Sequence, residues 1–239
     1  YQRFVDAGWN GIAFGEEYGG GGLPWVVGLA VQEMLTASNM AFSLCPLLTQ
    51  GAIDAISHHA DETLQEIYLP KMVTGEWTGT MNLTEPQAGS DVGALTTRAV
   101  PNEDGSYRVF GTKIYITYGE HELSENIVHL VLARVPGAPP GTKGISLFIV
   151  PKFLVNDDKS LGERNGVRCG SIEHKMGIKA SATCVMNFED SKGYLVGECN
   201  NGLATMFTMM NYARLSMGLQ GNGLAESSYQ VASGYAKER

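Results

Sequence analysis

The sequence is poor in charge and in cysteine. Charged residues make up 18% of its 239 residues, and the formal net charge is −8. A polyanion would meet net repulsion, which argues against nucleic acid as a partner. The four cysteines form no C-x-x-C pair, and the sequence has no secretory signal and no uninterrupted apolar run of about 18 residues. A disulfide scaffold and a membrane span are therefore not expected, and a reduced, cytoplasmic location is favoured.

Histidines are also few, and they do not form a metal site. The adjacent His58 and His59 would face different directions on a helix, so they are more typical of a surface or an interface than of a metal site. No metal is predicted.

Helical spacing dominates the first third of the chain. With 44% hydrophobic residues the chain can bury a sizeable core. Apolar residues recur every three or four positions over about residues 25–38, 46–59 and 61–74. Asp61 is placed to act as the N-cap of the last of these helices.

Short β-rich runs replace this pattern from Trp77 onward, and helical spacing returns after Gly202. Helices followed by strands and then by helix indicate an α+β fold rather than a doubly wound sheet. We expect an N-terminal helical domain over residues 1–75, a central antiparallel β-barrel or sandwich over 76–198, and the first helix of a C-terminal helical bundle over 199–239.

The stretch from Met81 to Asp91, M-N-L-T-E-P-Q-A-G-S-D, carries the strongest chemical signal. A strand should end at Thr84, Pro86 should stop the ladder, and the small residues that follow permit a tight turn with free amides and hydroxyls. Such a turn can bind a phosphate or the hydrogen-bonding edge of a ring system. On the residues alone, an ordinary loop remains the alternative.

Three motifs together resemble the acyl-CoA dehydrogenase family. T-E-P-x-A-G-S-D resembles a signature of that family, and the run from Gly111 to Gly119, G-T-K-I-Y-I-T-Y-G, is similar to its second flavin strand. The run from Met176 to Thr183, M-G-I-K-A-S-A-T, followed by N-F-E-D, is similar to a third family motif. Lys179 stands in it where arginine is common, which weakens a bidentate phosphate contact. The resemblance covers essentially the whole chain.

The resemblance implies FAD as the cofactor and gives roles to particular residues. Thr84 and the amides from Met81 to Thr84 would face the flavin, Tyr115 would pack against its ring, and Thr117 would offer a hydroxyl near N5. The implied cofactor-binding residues are Met81, Leu83, Thr84, Gly89, Ser90, Tyr115, Ile116 and Thr117. The implied acyl-CoA-binding residues are Ser90, Ser181, Thr183, Asn211 and Arg214.

Residue chemistry alone leaves alternatives for several of these positions. Tyr115 and Thr117 are also residue types that fill ordinary strands. Arg214 could equally face solvent or pair across helices.

The implied activity is α,β-dehydrogenation of an acyl-CoA thioester, in which a carboxylate takes the α-proton and flavin N5 receives the β-hydrogen as hydride. The implied partners are the acyl-CoA substrate and an electron-transfer flavoprotein or similar acceptor, in a homodimer or homotetramer. The alternatives are an acyl-CoA oxidase that uses oxygen and a non-catalytic relative that acts as a binding or scaffold protein.

The loop after Thr117 and the polar insert over 152–171 resemble a large bacterial branch of the family.

The sequence also leads us to expect a piece of a longer protein. It begins at Tyr1, and its last residues still follow a helical pattern. In the family the base is a glutamate that is usually placed far downstream, so we expect the chain alone to lack it, to bind FAD poorly and to be inactive. Glu238 lies near the position used by a minority branch, but a solvent-facing role is favoured for it.

Two further expectations concern apolar surfaces. The pocket floor should lie around residues 45–51, where Pro46, Leu47 and Leu48 are apolar. The apolar stripe from Leu203 to Tyr235 should be covered by another chain, by other parts of the parent protein or by the β-domain, because exposing all of it would exceed what soluble monomers tolerate.

Overall fold

A helical layer, a strand-rich middle and a long last helix follow one another along the chain. The computed structural model describes every residue from Tyr1 to Arg239. The helices are α1 (Gln2–Asp6), α2 (Trp25–His59), α3 (Glu62–Thr74) and α4 (Gly202–Glu238). The strands are β1 (Trp77–Asn82), β2 (Arg98–Pro101), β3 (Tyr107–Thr117), β4 (Asn126–Ala133), β5 (Ser146–Pro151), β6 (Phe153–Val155), β7 (Leu161–Arg164), β8 (Val167–Ile172) and β9 (Thr183–Val196). This order confirms the predicted α+β class.

Seven strands form one mixed sheet in the order β1-β4-β5-β9-β3-β2, with β8 also paired to β9. β1 and β4 run parallel, so the domain expected to be antiparallel contains one parallel pair. The barrel is not closed: β2 reaches the end of β4 only through an isolated bridge between Arg98 and Arg134. The 14-residue β9 pairs with β5 at one end and with β3 and β8 at the other, which gives a sandwich.

The strand β4 separates two hydrophobic cores. All eight of its residues are buried, as a near-continuous apolar run predicts for a strand covered on both faces. Val128, Leu130 and Leu132 belong to a cluster of 25 buried residues between the helices and the sheet. Val131 and Ala133 belong to a cluster of 11 inside the β-domain. Because successive side chains point to opposite faces, one strand serves both cores.

The helix α2 is bent at Asn39, whose φ of −157° and ψ of 87° are not helical. The Phe42 amide donates to Asn39 Oδ1 at 3.0 Å, so this side chain restarts the helix as an N-cap would. The break at Asn39 agrees with the predicted end of the first helix near residue 38, but the second part begins just after Asn39 and not near residue 46. By length and composition α2 could also cross a membrane, but 67% of its most apolar window is buried in this fold, as in a core helix.

The first part of the apolar stripe on α4 is covered within the chain. Met206, Met209 and Tyr212 are buried, and the Ser216 hydroxyl donates to Gln32 Oε1 of α2 at 3.0 Å. Beyond Gly223, the apolar side chains of α4 are exposed: Leu224, Tyr229, Val231 and Tyr235. The helix that packs against the stripe is α2, which was not among the covers expected from the sequence.

Asp61 caps α3 as the sequence predicts, because the Leu64 amide donates to Asp61 Oδ1 at 2.9 Å. Replacing Asp61 with alanine is expected to lower the free energy of unfolding by about 1 kcal/mol, since this amide loses its acceptor. Urea titration measures the loss. Glu66→Ala, on the exposed face of the same helix, is the control and should change stability by less than about 0.5 kcal/mol. Equal losses in the two variants would contradict the capping role.

Candidate functional site

The T-E-P motif forms a tight turn directly after β1. The Glu85 amide donates to Ala88 O at 3.1 Å and the Ala88 amide donates back to Glu85 O at 3.0 Å. Thr84 is half-buried at the base of this turn, and Gly89 and Ser90 are exposed on it. A Cβ on Gly89 would lie 3.3 Å from Thr84 Cγ2, so Gly89 packs directly against Thr84. The turn has the free amides and hydroxyls that the sequence predicts.

Met81, at the end of β1, is half-buried. It packs against the core between the helices and the sheet, to which Ala88 of the turn also belongs.

The second motif strand carries a bulge at Tyr115. The pairing of β3 with β9 shifts register between Lys113 and Ile116, and Tyr115 has a φ of 61°, which is uncommon outside glycine. The bulge leaves the Tyr115 ring 61% exposed while Ile116 stays buried. An aromatic ring held outward by strained backbone is a feature associated with functional sites.

One backbone hydrogen bond ties the two motifs together. The Ile114 amide donates to Thr84 O at 2.9 Å, so the turn after β1 lies next to the bulge in β3. Thr84 and Tyr115 are thus held by neighbouring backbone, as the motif spacing suggests.

A buried ion pair lies beneath this junction. Lys113 Nζ donates to Glu85 Oε1 at 2.8 Å, and the two side chains are 0% and 2% exposed. Burial by itself raises the pKa of Glu85, but Lys113 and the hydrogen bonds from Thr96 and Thr97 outweigh it and lower the pKa to about 2. Burial lowers the pKa of Lys113 to about 8, against the opposing effect of Glu85. Both groups are therefore charged at neutral pH.

The third motif lies beside the end of β3. Thr117 pairs with Thr183 across the β3–β9 ladder, and both are half-buried. Ser181 is buried, and its Oγ lies near the Tyr118 phenol without a well-formed hydrogen bond. Lys179 is exposed. Thr117, Ser181 and Thr183 are thus brought together.

Tyr118 connects this strand end to the helical layer. Its amide donates to Ala182 O at 2.7 Å, and its hydroxyl donates to Ala41 O of α2 at 2.7 Å. Burial raises the pKa of Tyr118 to about 12, so it remains a neutral donor. The segment 45–51, predicted as a pocket floor, is largely buried in α2 a few residues further on.

The remaining predicted positions lie on α4 and contact each other. Arg214 donates to Asn211 Oδ1 at 2.8 Å, and its guanidinium carbon lies 5.2 Å from the centroid of the Phe207 ring. Both Asn211 and Arg214 are at least partly open to solvent. Asn211 also lines an open cavity of about 420 Å³ with Trp25 and Asp54. These contacts do not join the two residues to the β-domain motifs.

Sequence reasoning assigned no role to Glu85, Lys113 or Tyr118. The glutamate and lysine stand inside the first two motifs, but charged residues usually lie at the surface. The sequence signal that could have identified the pair is a lysine at a core-facing position of a strand, next to an apolar residue. A solvated charge is not expected there.

Two family models match this chain. "Acyl-CoA dehydrogenase, N-terminal domain" matches residues 1–76, and "Acyl-CoA dehydrogenase, middle domain" matches residues 80–191. Together they cover the helical layer and most of the strand-rich region.

Several proteins that are similar to this chain are named as acyl-CoA dehydrogenases. The 3-methylmercaptopropionyl-CoA dehydrogenase of Ruegeria pomeroyi is 54% identical over 100% of this chain, which covers 41% of that protein. The structure of butyryl-CoA dehydrogenase from Megasphaera elsdenii superposes with a TM-score of 0.84 at 27% identity, over 99% of this chain and 60% of that one. An acyl-CoA dehydrogenase complexed with FAD from Bacillus anthracis gives a TM-score of 0.84 at 29% identity, over 99% of this chain and 38% of that one.

The chain therefore spans only part of the length of its relatives, about 41% of the first of them. The matched domains, the motifs at the junction of β1 and β3 and the shared fold agree with one another. The chain belongs to the acyl-CoA dehydrogenase family.

Proposed function

We propose that this chain forms the flavin-facing part of an FAD-dependent acyl-CoA dehydrogenase that oxidises an acyl-CoA thioester between its α and β carbons. The observation that supports this most is the junction at which Ile114 bonds to Thr84 beside the outward-facing Tyr115. A site that binds the planar ring of a flavin needs an exposed aromatic side chain to pack against the ring and hydrogen-bond donors along the edge of the ring. The junction offers both.

The residues at this junction fit FAD. Tyr115 is 61% exposed, Gly89 is exposed beside Thr84, and Thr117 and Thr183 present two hydroxyls at the strand end. FAD, when bound, would accept the hydride from the β-carbon. The residues proposed to hold it are Met81, Leu83, Thr84, Gly89, Ser90, Tyr115, Ile116 and Thr117, with Met81 acting through its backbone.

The chain's own residues would bind and orient the acyl-CoA. The residues proposed for this are Ser90, Ser181, Thr183, Asn211 and Arg214. We propose that the base comes from outside this chain, because in the family it is usually a glutamate placed far downstream; Glu238, near the minority position, is exposed near the end of α4. Hydrogen bonds to the thioester oxygen would stabilise the enolate that forms as the α-proton leaves.

The wider setting is proposed on the same basis. The three-part division at residues 1–75, 76–198 and 199–239 is proposed from the order of helical and strand patterns, and a cytoplasmic location from the unpaired cysteines. A homodimer or homotetramer and an electron-transfer flavoprotein as acceptor are proposed from the family resemblance. One similar structure is named for an electron transferring flavoprotein of Acidaminococcus fermentans, which supports an acceptor of that kind.

Anaerobic titration of the full-length protein with acyl-CoA tests the activity. We expect short straight-chain and thioether acyl-CoAs to bleach the flavin absorbance. Thr117→Val should slow this reduction about fivefold, the effect of losing one hydrogen bond of about 1 kcal/mol. The control is Thr112→Val on the same strand, whose hydroxyl instead donates to Asn187 Oδ1 at 2.9 Å. It should reduce at the wild-type rate.

Two results would contradict the proposed function. One is a full-length protein that takes up no FAD when it is supplied, and the other is bound flavin that no acyl-CoA reduces. Equal slowing in the two threonine variants would contradict only the role of Thr117.

A further inference from the structure

We propose that the buried ion pair of Glu85 and Lys113 is a positioning pair, which aims the Thr84 amide at the flavin by holding the Leu83 carbonyl on the opposite side. The inference rests on the proposed FAD site. It gives a role to two charged residues that touch neither the expected cofactor nor the substrate.

The contact to Leu83 links the ion pair to the site. Lys113 Nζ donates to Leu83 O at 3.0 Å in addition to Glu85 Oε1. The Leu83 carbonyl and the Thr84 N–H belong to one planar trans peptide, in which they point in opposite directions. Fixing the carbonyl toward the interior therefore turns the Thr84 N–H away from the ion pair. This amide makes no hydrogen bond within the chain, so it is free to meet a ligand.

The acid is held as firmly as the lysine. The Thr96 amide and hydroxyl donate to Glu85 Oε2 at 2.7 and 2.9 Å, and the Thr97 amide donates to Oε1 at 3.0 Å. Gln87 Nε2 also donates to Oε2, at 2.7 Å. Both oxygens are thus fully hydrogen-bonded, so the carboxylate is a fixed anchor for Lys113.

The strand β3 also packs closely against the loop that contains Thr96 and Thr97, which is called the threonine loop below. Gly111 has a φ of 155°, and a Cβ there would lie 2.3 Å from Thr97 Oγ1. This close approach sets the distance between β3 and the threonine loop, and Lys113 follows two residues later. Leu83, Glu85 and Lys113 are therefore linked by hydrogen bonds two residues from the bulge at Tyr115.

Stability alone does not explain the pair. A buried ion pair can often be replaced by apolar or neutral groups at little cost in stability, whereas removing one partner leaves a buried charge and is costly. What a neutral replacement cannot reproduce here is the donor to the Leu83 carbonyl. Stability and positioning can therefore be separated by mutation.

The test uses two variants of the full-length protein and measures stability separately from FAD binding. In Glu85→Gln/Lys113→Met both charges are removed; the amide oxygen keeps the donors of one threonine, while the NH2 group, itself a donor, faces those of the other. In Lys113→Arg the charge is retained, but a planar guanidinium replaces the single Nζ that donates to both Leu83 O and Glu85 Oε1. Thermal unfolding of the apoprotein measures stability. FAD quenching titration and the visible flavin spectrum measure positioning.

We expect each variant to bind FAD about tenfold more weakly than wild type, with an altered vibronic pattern in the flavin band, a loss larger than any change in the apoprotein melting temperature accounts for. The matched control is Asp104→Asn/Lys192→Met, which removes an exposed pair between the β2–β3 turn and β9, in which Lys192 Nζ lies 3.0 Å from Asp104 Oδ2. It should change neither measurement.

The outcomes separate this inference from the function on which it rests. A wild-type protein that binds no FAD removes the proposed function and this inference together. Wild-type FAD affinity and spectrum in either positioning variant would overturn the positioning role and leave the function standing. If one of the two variants cannot be purified, the other decides.

Discussion

Replacing Gly79 with alanine is expected to lower the free energy of unfolding by about 3 kcal/mol, because β1 and α2 have no room for a Cβ between them. A Cβ at this position would lie 2.6 Å from Ala52 Cβ and 3.0 Å from Met72 Cε. The Met72 methyl can move at the end of a flexible side chain. Ala52 Cβ cannot move without shifting the backbone of α2.

A hydrogen bond resists that shift. The Gly79 amide donates to Thr49 Oγ1 at 3.1 Å, which fixes α2 against the middle of β1. The alanine variant must therefore either compress this contact or stretch the hydrogen bond. Because Thr49 lies within the segment 45–51, movement here would also displace the proposed pocket floor.

Urea unfolding of the full-length protein measures the loss. Gly218→Ala on α4 is the control, since a Cβ there meets nothing within 4 Å, and it should be neutral or stabilise by up to about 1 kcal/mol. If Gly79→Ala stayed within about 0.5 kcal/mol of wild type, the helical layer would be free to slide on the sheet. Rigid docking of α2 on β1 would then be wrong.

Local signals explain why much of the fold could be predicted. Asp61 is a good N-cap residue before an apolar repeat, and the Leu64 amide uses it. β4 is a run of apolar residues covered on both faces, so it can be recognised without knowing its neighbours. Such features depend on only a few adjacent residues, which is why one sequence is enough to find them.

The missed elements depend on partners that lie far away in sequence. β6, β7 and β8 fall in the stretch interpreted as a polar insert, and most of their residues are half-buried or exposed. Their hydrogen bonds come from β9 and from each other, so apolar spacing gives little sign of them. The parallel pairing of β1 with β4 was missed for the same reason.

The motifs of the candidate site can be recognised from the sequence because they are local, whereas its geometry is not. The motifs placed Thr84 and Tyr115 near one another, and the Ile114–Thr84 hydrogen bond joins them. No local pattern indicates that β3 bulges at Tyr115, or that Lys113 turns inward to meet Glu85. Both require the β9 ladder and the threonine loop to be in place.

Acid is expected to lower the free energy of unfolding of this protein, because a buried histidine must stay neutral in the folded state. His129 is 0% exposed on β4. Its Nδ1 lies 2.7 Å from Thr80 Oγ1, its Nε2 has no hydrogen-bond partner in the protein, and its ring meets that of Phe188 edge-on at 6.0 Å. Burial lowers the pKa of His129 to about 3 from the usual 6.5.

Four charged or titratable groups surround His129: Glu120, His121, Lys152 and Arg164. Glu120 raises its pKa and the other three lower it. Lys152 and Arg164 both contact the Glu120 carboxylate, which limits how far that acid can favour a charged imidazole. Burial also lowers the pKa of His121, to about 4.

Whether acid stabilises or destabilises the protein depends on which state, folded or unfolded, binds the proton on His129. Below pH 6.5 the unfolded chain protonates His129 while the folded protein does not, until the pH approaches about 3. The stability contributed by neutral His129 is thus present above pH 6.5 and is lost as the pH falls through that window. Each pH unit costs up to about 1.4 kcal/mol, so we expect a loss of about 2 kcal/mol from this residue between pH 7 and about 4.5.

Urea unfolding at pH 7 and at about pH 4.5 in His129→Gln isolates this contribution, because an amide can still bond Thr80 but does not titrate in this range. The acid-induced loss should be about 2 kcal/mol smaller in the variant than in wild type, even if its stability at pH 7 is lower. The solvent-accessible His174 provides the control: His174→Gln should keep the wild-type dependence on pH, since carboxylates titrate alike in all three proteins. An unchanged acid loss in His129→Gln would show that His129 gains its proton without unfolding, through water that reaches the unpartnered Nε2.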